Sequence, residues 1–447
     1  MVLKRTRTLV LACLLISLSV MMILKTHMIP IPPFLYHSQS TRERPVASEG
    51  ITTMETPRTT KETPDTSISL FVRMSGKRPD HRERYLCNVF RTAVLFWPPS
   101  FGNFVIALDE ESQEDHEFAE KLKTQAQKYF PDRKLEFFYE PLPKKQDTLA
   151  FQGSPKPAGY NRQLWSSFFI DLLSNDTVIA WMDSDSAFFT PVTKSTIFNG
   201  TKVRVLGTGC TLQDSGRSWV HTWAHTSQLA LGVPFVADFM TYFPVYMYRD
   251  TVTHCREHIL KHLNTTNFEE AFRMFYKGFI SPVSVILSYA FYFERDRYDW
   301  NFKICNDLAE YNKRFPTGQT IAPEHVQDVL TEPQTGYHGW AGPGFSKNTL
   351  ASYCLSHKAA GNNLDICSNR TFLPSDNLIF FVHDLQMGNR NHPCKGNITQ
   401  TCLQVLERHY NQVGLEIKQG RKLEWSTLEI AEKVASEFGV TCQPIPV

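Results

Sequence analysis

The chain has 447 residues, of which 42% are hydrophobic and 21% are charged. This balance excludes a chain that is mostly disordered, and the length suffices for one large domain or two medium ones. Lys and Arg together number 47 against 45 Asp and Glu, which gives a formal charge of +2. So small a charge excludes the strongly basic surface that is typical of nucleic-acid binding.

The first 30 residues combine a basic start with an apolar run. Lys4, Arg5 and Arg7 precede the apolar residues 9–24, a length between that of a signal-peptide core and a full membrane span. No small-x-small cleavage site follows, so we favour an uncleaved signal anchor over a removed peptide. The positive-inside rule then predicts a cytosolic tail at 1–8, a transmembrane helix at 9–24 and a luminal remainder, a single-pass type II arrangement. A short span suits ER or Golgi membranes.

The stretch after the anchor differs in composition from the rest of the chain. Residues 30–66 hold six Pro, eight Thr and three Ser, with few aromatic residues. Such a stretch cannot bury a core, so we expect a Pro/Thr-rich stem at 25–66 and a luminal domain at 67–447. The stem is either O-glycosylated or an unmodified linker.

Sequons and cysteines agree with a luminal domain. The N-x-[ST] triplets without Pro begin at Asn175, Asn199, Asn264, Asn369 and Asn397. One of the ten Cys lies in the predicted span, and the other nine lack paired metal-ligand spacing, which predicts disulfides in an oxidising lumen. The expected local pairs are Cys354 with Cys367 and Cys394 with Cys402. An odd number leaves one thiol free or bonded to another chain.

Strands and helices alternate beyond the stem. The predicted strands are 67–74, 103–112, 134–140, 177–189 and 202–209, and the predicted helices are 83–97, 114–130, 159–175 and 427–439. This order predicts an α/β domain with a parallel or mixed sheet covered by helices on both faces. Ligands bind at the carboxyl ends of strands in such sheets. Arg73, Asp109 and residues 183–185 all lie at predicted carboxyl ends.

The fourth predicted strand carries the main chemical signal. Its apolar residues 178–182 predict a buried central strand that delivers Asp183, Ser184 and Asp185 at its tip. Carboxylates two residues apart face the same side of an extended chain, and their oxygens suit Mn²⁺ or Mg²⁺. Such an ion neutralises a departing diphosphate. The alternative is a solvated turn in which Asp183 is a cap.

This region resembles a known family. The segment VIAWMDSDSAFFTPVT (178–193) looks like the metal-binding strand of GT-A glycosyltransferases, which use nucleotide-diphosphate sugars. The preceding GYNRQLWSSFFIDLLSND (159–176) is similar to the helix before that strand in a eukaryotic nucleotide-diphospho-sugar transferase group. The resemblance covers about residues 67–390. It implies a GT-A-like Rossmann-type mixed sheet sandwiched by helices, and a metal-dependent Golgi glycosyltransferase with a nucleotide-sugar donor, UDP-linked by preference, and a glycan, glycoprotein or glycolipid acceptor.

The resemblance also implies roles for individual residues. Asp185 would coordinate the divalent ion, and Asp183 would contact the ion or the ribose. Asp109 would hold the nucleoside, and Arg73 would line its pocket. Many GT-A enzymes take a further ligand from a C-terminal His. We favour His383 in LIFFVHD (378–384), with His338 in TGYHGWAGPGF as the second choice.

The sequence offers more than one candidate for the general base. Inverting transfer needs a carboxylate that deprotonates the acceptor hydroxyl. Asp238, just before the aromatic segment 239–248, is our candidate, and Glu294, Asp296 and Asp299 form another acidic group. Related GT-A enzymes often carry Glu or Asp in the motif that corresponds to 281–284, where this chain has no carboxylate.

Other classes compete with this interpretation. Haloacid-dehalogenase-type phosphatases also place an acidic triplet after an apolar strand, but on their first strand and with Thr or Val where this chain has Ala187. A non-catalytic lectin-like ectodomain and a degenerate transferase without turnover are the further alternatives. Metal-dependent UDP binding would disfavour the lectin, and glycan binding without nucleotide affinity would favour it.

Overall fold

A computed structural model describes residues 66–140, 142–144, 158–188, 192–213, 218–240, 242–305, 307–327, 336–338 and 426–442. These residues belong to the compact unit Glu62–Val447. The predicted tail and anchor, His383, Asn369, Asn397 and the two expected local disulfides lie outside the described residues. In the part of the chain that the structure describes, no helix has both the length and the apolar character that crossing a bilayer requires.

The elements follow the predicted alternation. The strands are β1 (Ile68–Arg73), β2 (Phe104–Asp109), β3 (Leu135–Glu140), β4 (Val178–Met182), β5 (Ser186–Phe188), β6 (Phe198–Asn199), β7 (Lys202–Thr208), β8 (Tyr242–Phe243), β9 (Val245–Tyr248), β10 (Tyr298–Lys303) and β11 (Gly336–His338). The helices are α1 (Pro79–Arg84), α2 (Arg91–Phe96), α3 (Gln113–Tyr129), α4 (Ala158–Ser166), α5 (Lys194–Ile197), α6 (Cys210–Gln213), α7 (Ser218–Leu231), α8 (Arg249–His262), α9 (Phe268–Phe275), α10 (Pro282–Phe293), α11 (Leu308–Asn312) and α12 (Ser426–Glu437). A π-helical turn, Tyr85–Phe90, joins α1 to α2, and 3₁₀ turns occupy Ser167–Leu172, Arg295–Arg297 and Pro323–His325.

Five strands form the central sheet in the order β3-β2-β1-β4-β9. The first four are parallel, and β9 runs antiparallel to β4. All residues of β1 and β4 are buried, as expected of apolar strands in a sheet covered on both faces. The predicted mixed α/β sheet flanked by helices is therefore confirmed.

The chain order creates a topological switch point between β1 and β4. The connections from β1 to β2 and from β2 to β3 step to one side of β1, whereas β4 lies on its other side. Right-handed crossovers place α1 to α3 on one face and α4 on the opposite face. The carboxyl ends of β1 and β4 consequently flank the topological switch point, where open α/β sheets bind their ligands.

The predicted strand at 202–209 forms, but it lies outside the central sheet. As β7 it pairs with β10 and β6 in a separate sheet, and the fifth central position belongs to β9. The reason is visible in the burial pattern, because alternate residues of β7 are exposed or half-buried while three of the four residues of β9 are buried. A strand with one polar face does not fit a sheet covered on both sides.

Disulfides tie distant parts of the chain together. Cys87 in the π-helical turn bonds to Cys442, and Cys210 bonds to Cys305. The first bond fastens the end of the chain after α12, the helix predicted at 427–439. Phe438 lies against Phe118 with ring centroids 5.1 Å apart. Cys255 carries a free, buried thiol.

Candidate functional site

Charged side chains meet where three neighbouring strands end. Arg73 ends β1, and its Nη2 donates to Oδ1 of Asp109 at 2.8 Å while its Nε donates to Oε2 of Glu140 at 3.3 Å. We call these three residues the strand-end cluster. The structure thus brings together Arg73 and Asp109, as the sequence predicted. Glu140 was missed, although it ends a predicted strand in the same way.

A second arginine reaches the strand-end cluster from α4. Arg162 is buried, and its Nη1 lies 3.2 Å from Oδ1 of Asp109 and 2.5 Å from Oε1 of Glu111. Its Nη2 donates to the backbone carbonyl of Glu140. Because Arg162 lies inside a predicted helix, strand-end reasoning could not find it.

Burial and neighbouring positive charges shift the pKa values of the carboxyl groups in this cluster in opposite directions. Burial raises the pKa of Asp109 and of Glu140, and the guanidinium groups of Arg73 and Arg162 counteract part of that rise. The side chain of Asp109 is 22% exposed, against 7% for that of Arg73. Asp109 is consequently the most exposed member of the strand-end cluster, and its carboxylate is the one that a ligand can reach most easily.

A buried carboxylate fixes the loops behind the cluster. Asp115 in the first turn of α3 accepts hydrogen bonds from the backbone N–H of Lys77 at 2.7 Å and of Asp109 at 2.9 Å. Its own N–H donates to the capping hydroxyl of Ser112 at 3.2 Å. The Ser112-x-x-Asp115 spacing signals a helix start, but nothing in it reveals the contacts across the loops.

The acidic triplet forms a turn, not an extended strand end. The backbone N–H of Ser186 donates to the carbonyl of Asp183 at 3.0 Å, and Asp183, Ser184 and Asp185 are all half-buried. We call these three residues the acidic turn. Because the chain turns here, the same-side rule for extended residues does not apply to the two carboxylates. The turn stands at the carboxyl end of β4, on the β4 side of the switch point.

A partly exposed tyrosine lies close enough to Asp183 of the acidic turn to be affected by its charge. Tyr160 at the start of α4 is 37% exposed. Burial of the ring raises the pKa of Tyr160 to about 12, and the negative charge of Asp183 adds to this rise. Sequence reasoning missed Tyr160, because nothing in the helix pattern marks which of its residues approaches the strand end.

Strand β11 brings a histidine to the acidic turn. His338 pairs with Ser186, the residue after Asp185, and Tyr337 pairs with Ala187. The sheet register thus places the second-choice histidine beside the turn. Within the described ranges, no three His, Cys, Asp or Glu residues are grouped so that they could hold a metal ion.

Asp238 lies in a firmly held buried segment. It is 1% exposed, its backbone exchanges two 2.9 Å hydrogen bonds with Thr208, and its Oδ1 accepts from the N–H of Met240 at 2.8 Å. Ser284 and Ser288 of α10 accept hydrogen bonds from two further backbone N–H groups of this segment. The serines that occupy and follow the motif at 281–284 therefore hold the chain that carries Asp238.

The other predicted acidic group lies elsewhere. Glu294 accepts a hydrogen bond from Thr251 of α8 at 2.6 Å and pairs with Arg297 at 2.7 Å. Helix α8 follows Tyr248, which pairs with Val178 at the amino end of β4. Glu294 therefore lies towards the amino end of β4, whereas the acidic turn lies at its carboxyl end.

Three predicted glycosylation positions are on the surface. Asn175, Asn199 and Asn264 are exposed. Asn264 has a φ of 52°, which is a conformation that Asn tolerates better than most residues. Exposure is the condition that glycan attachment requires, so these sites stay open as predictions.

Comparisons with known proteins give only distant structural likenesses. No protein-family model matches the chain, and no curated protein matches it. The apo crystal structure of mouse xyloside xylosyltransferase 1 is 10% identical with a TM-score of 0.32, over 57% of this chain and 100% of that one. The apo structure of the bifunctional glycosyltransferase WbbM is 13% identical with a TM-score of 0.22, over 51% of this chain and 33% of that one. Both are glycosyltransferases, but at such low TM-scores the likeness does not assign a function to this chain.

Proposed function

We propose that this chain is a glycosyltransferase that moves a sugar from a nucleotide-diphosphate donor, preferably UDP-linked, to a glycan, glycoprotein or glycolipid acceptor. One observation carries the proposal. The acidic turn after β4 and the strand-end cluster after β1 to β3 flank the same topological switch point, where ligands bind in this kind of sheet.

The strand-end cluster suits the nucleoside part of the donor. Asp109 offers carboxylate oxygens, which accept hydrogen bonds from ribose hydroxyls or from a base N–H. Arg73 and Arg162 hold that carboxylate in place, so it is oriented before the ligand arrives. Tyr160 adds a partly exposed ring near Asp183, which suits stacking against a base or a sugar.

The acidic turn suits a divalent cation. Carboxylate oxygens are the donors that Mn²⁺ and Mg²⁺ prefer, and half-burial leaves Asp183 and Asp185 partly accessible. These two residues would hold the ion, with His338 or His383 as a further ligand. A bound ion would supply charge neutralisation for the departing diphosphate.

Asp238 remains the proposed base on the acceptor side. Its segment is fixed by Thr208 and by the serines of α10, so the carboxylate would not need to reorganise during the reaction. Preorganised charge of this kind is worth more in a water-excluded site than in bulk water.

The disulfides support an oxidising compartment for this activity. Cys87–Cys442 and Cys210–Cys305 are of the kind that persists in the secretory pathway. Together with the basic start and apolar run at 4–24, they support our proposal of a single-pass type II protein of the Golgi or ER membrane, with its catalytic domain in the lumen.

Titration of the full chain with UDP and with GDP, each with and without Mn²⁺, tests the proposal. Saturable binding that needs Mn²⁺ and disappears in Asp185→Asn would support it. Asp132→Asn, which makes the same change at an exposed aspartate, should bind as the wild type does. Failure of both nucleotides to bind a folded chain would instead favour the lectin-like or degenerate-transferase alternative.

A further inference from the structure

The Cys210–Cys305 disulfide is the more accessible of the two described disulfides. Cys305 is exposed and Cys210 is half-buried, whereas Cys87 is 6% exposed and Cys442 is half-buried. Thiol–disulfide exchange begins with the attack of a thiolate on one sulfur, so its rate depends on access to that sulfur. A reductant in solution should therefore reach the Cys210–Cys305 bond first.

This disulfide joins the carboxyl ends of two paired strands. Thr208 ends β7 and Lys303 ends β10, and these two residues are partners in the parallel register. Each cysteine follows the last residue of its strand by two positions. The backbone N–H of Gly209 also donates to the carbonyl of Lys303 at 2.8 Å. The disulfide thus continues the pairing of β7 with β10 beyond the end of the sheet.

Thr208 connects this junction to the segment that carries Asp238. Its backbone exchanges two 2.9 Å hydrogen bonds with Asp238. Its hydroxyl accepts from the backbone N–H of Cys210 at 3.2 Å and donates to the carbonyl of Lys303 at 3.4 Å. One residue is therefore bonded to Asp238, to a cysteine of the disulfide and to the strand that leads to the other cysteine.

Regular structure alone holds these cysteines weakly. Helix α6, which begins at Cys210, has four residues, and so short a helix is not stable by itself. Cys305 lies in the connection between β10 and α11. Opening of the disulfide should consequently let the ends of β7 and β10 move apart more often, which weakens the hold of Thr208 on Asp238.

The same segment has a second support that does not involve the disulfide. Ser288 and Ser284 of α10 accept hydrogen bonds from the N–H groups of Val236 and Phe239, each at 3.2 Å. Loss of the disulfide should therefore loosen the segment without unfolding the domain. A bond that can be opened with the fold intact meets the structural requirement for a redox switch.

We propose that the Cys210–Cys305 disulfide is a reducible clasp through which a dithiol reductant regulates the segment that carries Asp238. A thiolate of the dithiol attacks Sγ of Cys305, and Cys210 leaves as a thiolate. The second thiolate of the dithiol then attacks the mixed disulfide and releases Cys305. The clasp gains two electrons and two protons, and the dithiol is oxidised to its own disulfide. The clasp stands on the geometry, and its control of sugar transfer rests on the proposed function.

Graded reduction of the full chain with dithiothreitol, followed by alkylation and peptide mass spectrometry, tests the accessibility of the clasp. We expect Cys210 and Cys305 to be alkylated at dithiothreitol concentrations about tenfold lower than Cys87 and Cys442, because exchange depends on access. The free, buried thiol of Cys255 should stay unlabelled, which shows that the chain is still folded. Reduction of the Cys87–Cys442 bond at the same or a lower concentration would overturn the proposal.

Hydrogen exchange of the selectively reduced chain tests the link to Asp238. The amides of Thr208 and Asp238 should exchange about tenfold faster than in the oxidised chain, because local opening becomes more frequent. The amide of Ile179 in β4 of the central sheet is the internal control and should not change. Reoxidation should restore the slow exchange.

The double variant Cys210→Ser with Cys305→Ser provides a second comparison. It should exchange at Thr208 and Asp238 as the reduced wild type does, and it should not respond to dithiothreitol. Exchange at these two amides that is unchanged by reduction of the wild type would overturn the proposal.

The rate of transfer tests the regulatory role. Selective reduction should lower transfer reversibly and leave the affinity for UDP unchanged, because the proposed nucleoside residues end strands of the central sheet. Full transfer by the reduced chain would overturn the regulatory role. Absence of UDP binding in the oxidised chain would count against the proposed function instead, so the two failures are distinct.

Discussion

Nη2 of Arg73 and Oδ1 of Asp109 lie 2.8 Å apart, so the last residues of two neighbouring parallel strands are ion-paired. The pair is also bonded to the end of the third strand through Glu140. The partly exposed carboxylate of Asp109 is thereby held in place by charges that are more deeply buried. Pairing of this kind orients a group more than it stabilises the fold, because desolvation offsets much of the attraction.

Asp109→Asn should weaken UDP binding. The amide loses the charge that Arg73 and Arg162 orient, and it replaces one acceptor by a donor. We expect the affinity of the full chain for UDP to fall about tenfold, the loss of one charge-assisted hydrogen bond, by isothermal titration calorimetry. Glu136→Gln on β3, where the acid pairs with Lys134, is the matched control. Unchanged affinity in Asp109→Asn would exclude this carboxylate from the nucleoside site.

His338→Ala should weaken Mn²⁺ binding. The strand register places His338 opposite Ser186 at the acidic turn. Mutation of a residue that only supports a metal ligand typically lowers metal affinity about 10- to 100-fold. Loss of the ligand itself should lower the affinity for Mn²⁺ by at least as much. Paramagnetic titration of the full chain with Mn²⁺ measures the effect, and His383→Ala is the comparison. If His383→Ala loses the ion and His338→Ala retains it, the first-choice histidine is the ligand.

Asp238→Asn should lower the rate of transfer, not the affinity for UDP. A positioned base contributes about 10²- to 10⁴-fold to the rate, so turnover should fall by at least the lower figure. Asp250→Asn, an exposed aspartate paired with Arg297, is the control. Full turnover in Asp238→Asn would leave this aspartate a structural role, in keeping with its bond to Met240.

The central sheet was predictable because its strands are apolar runs between amphipathic helices. Each of the first four predicted strands overlaps an observed strand. The aromatic segment 239–248 has no clear period from which a strand or a helix could be predicted, and Pro244 divides it into β8 and β9. The polar face of β7 is a local signal against a central position, but its pairing with β10, which lies far along the chain, has no local signal.

The candidate site was predictable where strand ends supply it. Arg73, Asp109 and the acidic turn were found because the carboxyl ends of parallel strands all lie at the same end of the sheet, where ligands bind. The same argument could have found Glu140. Arg162 and Asp115 come from helices, where tertiary partners decide whether a charge is buried. Cys87 and Cys442 are separated by 355 positions, a pairing without any local signal.

Loss of the Cys87–Cys442 bond should cost more stability than loss of Cys210–Cys305. Their sequence separations are 355 and 95, and the chain-entropy model predicts about 1 kcal/mol more for the longer loop, on top of roughly 2–4 kcal/mol for either bond. Cys442→Ser and Cys305→Ser are compared by denaturant unfolding of the full chain. A larger loss in Cys305→Ser would show that strain or residual structure outweighs loop length.

His262→Gln should make the protein less sensitive to acid. Burial and then the charge of His258 lower the pKa of His262, and the two rings lie 6.2 Å apart. A histidine whose pKa is lowered on folding favours the folded state above its ordinary pKa and loses that contribution as the pH falls below it.

The free energy of unfolding of the wild type should therefore fall more than that of His262→Gln between about pH 7.5 and about pH 5.5. Urea unfolding at both pH values measures the difference. His221→Gln, an exposed histidine on α7, provides the comparison, and it should follow the wild type. An identical pH dependence in the wild type and His262→Gln would mean that His262 binds its proton equally in the folded and unfolded chains.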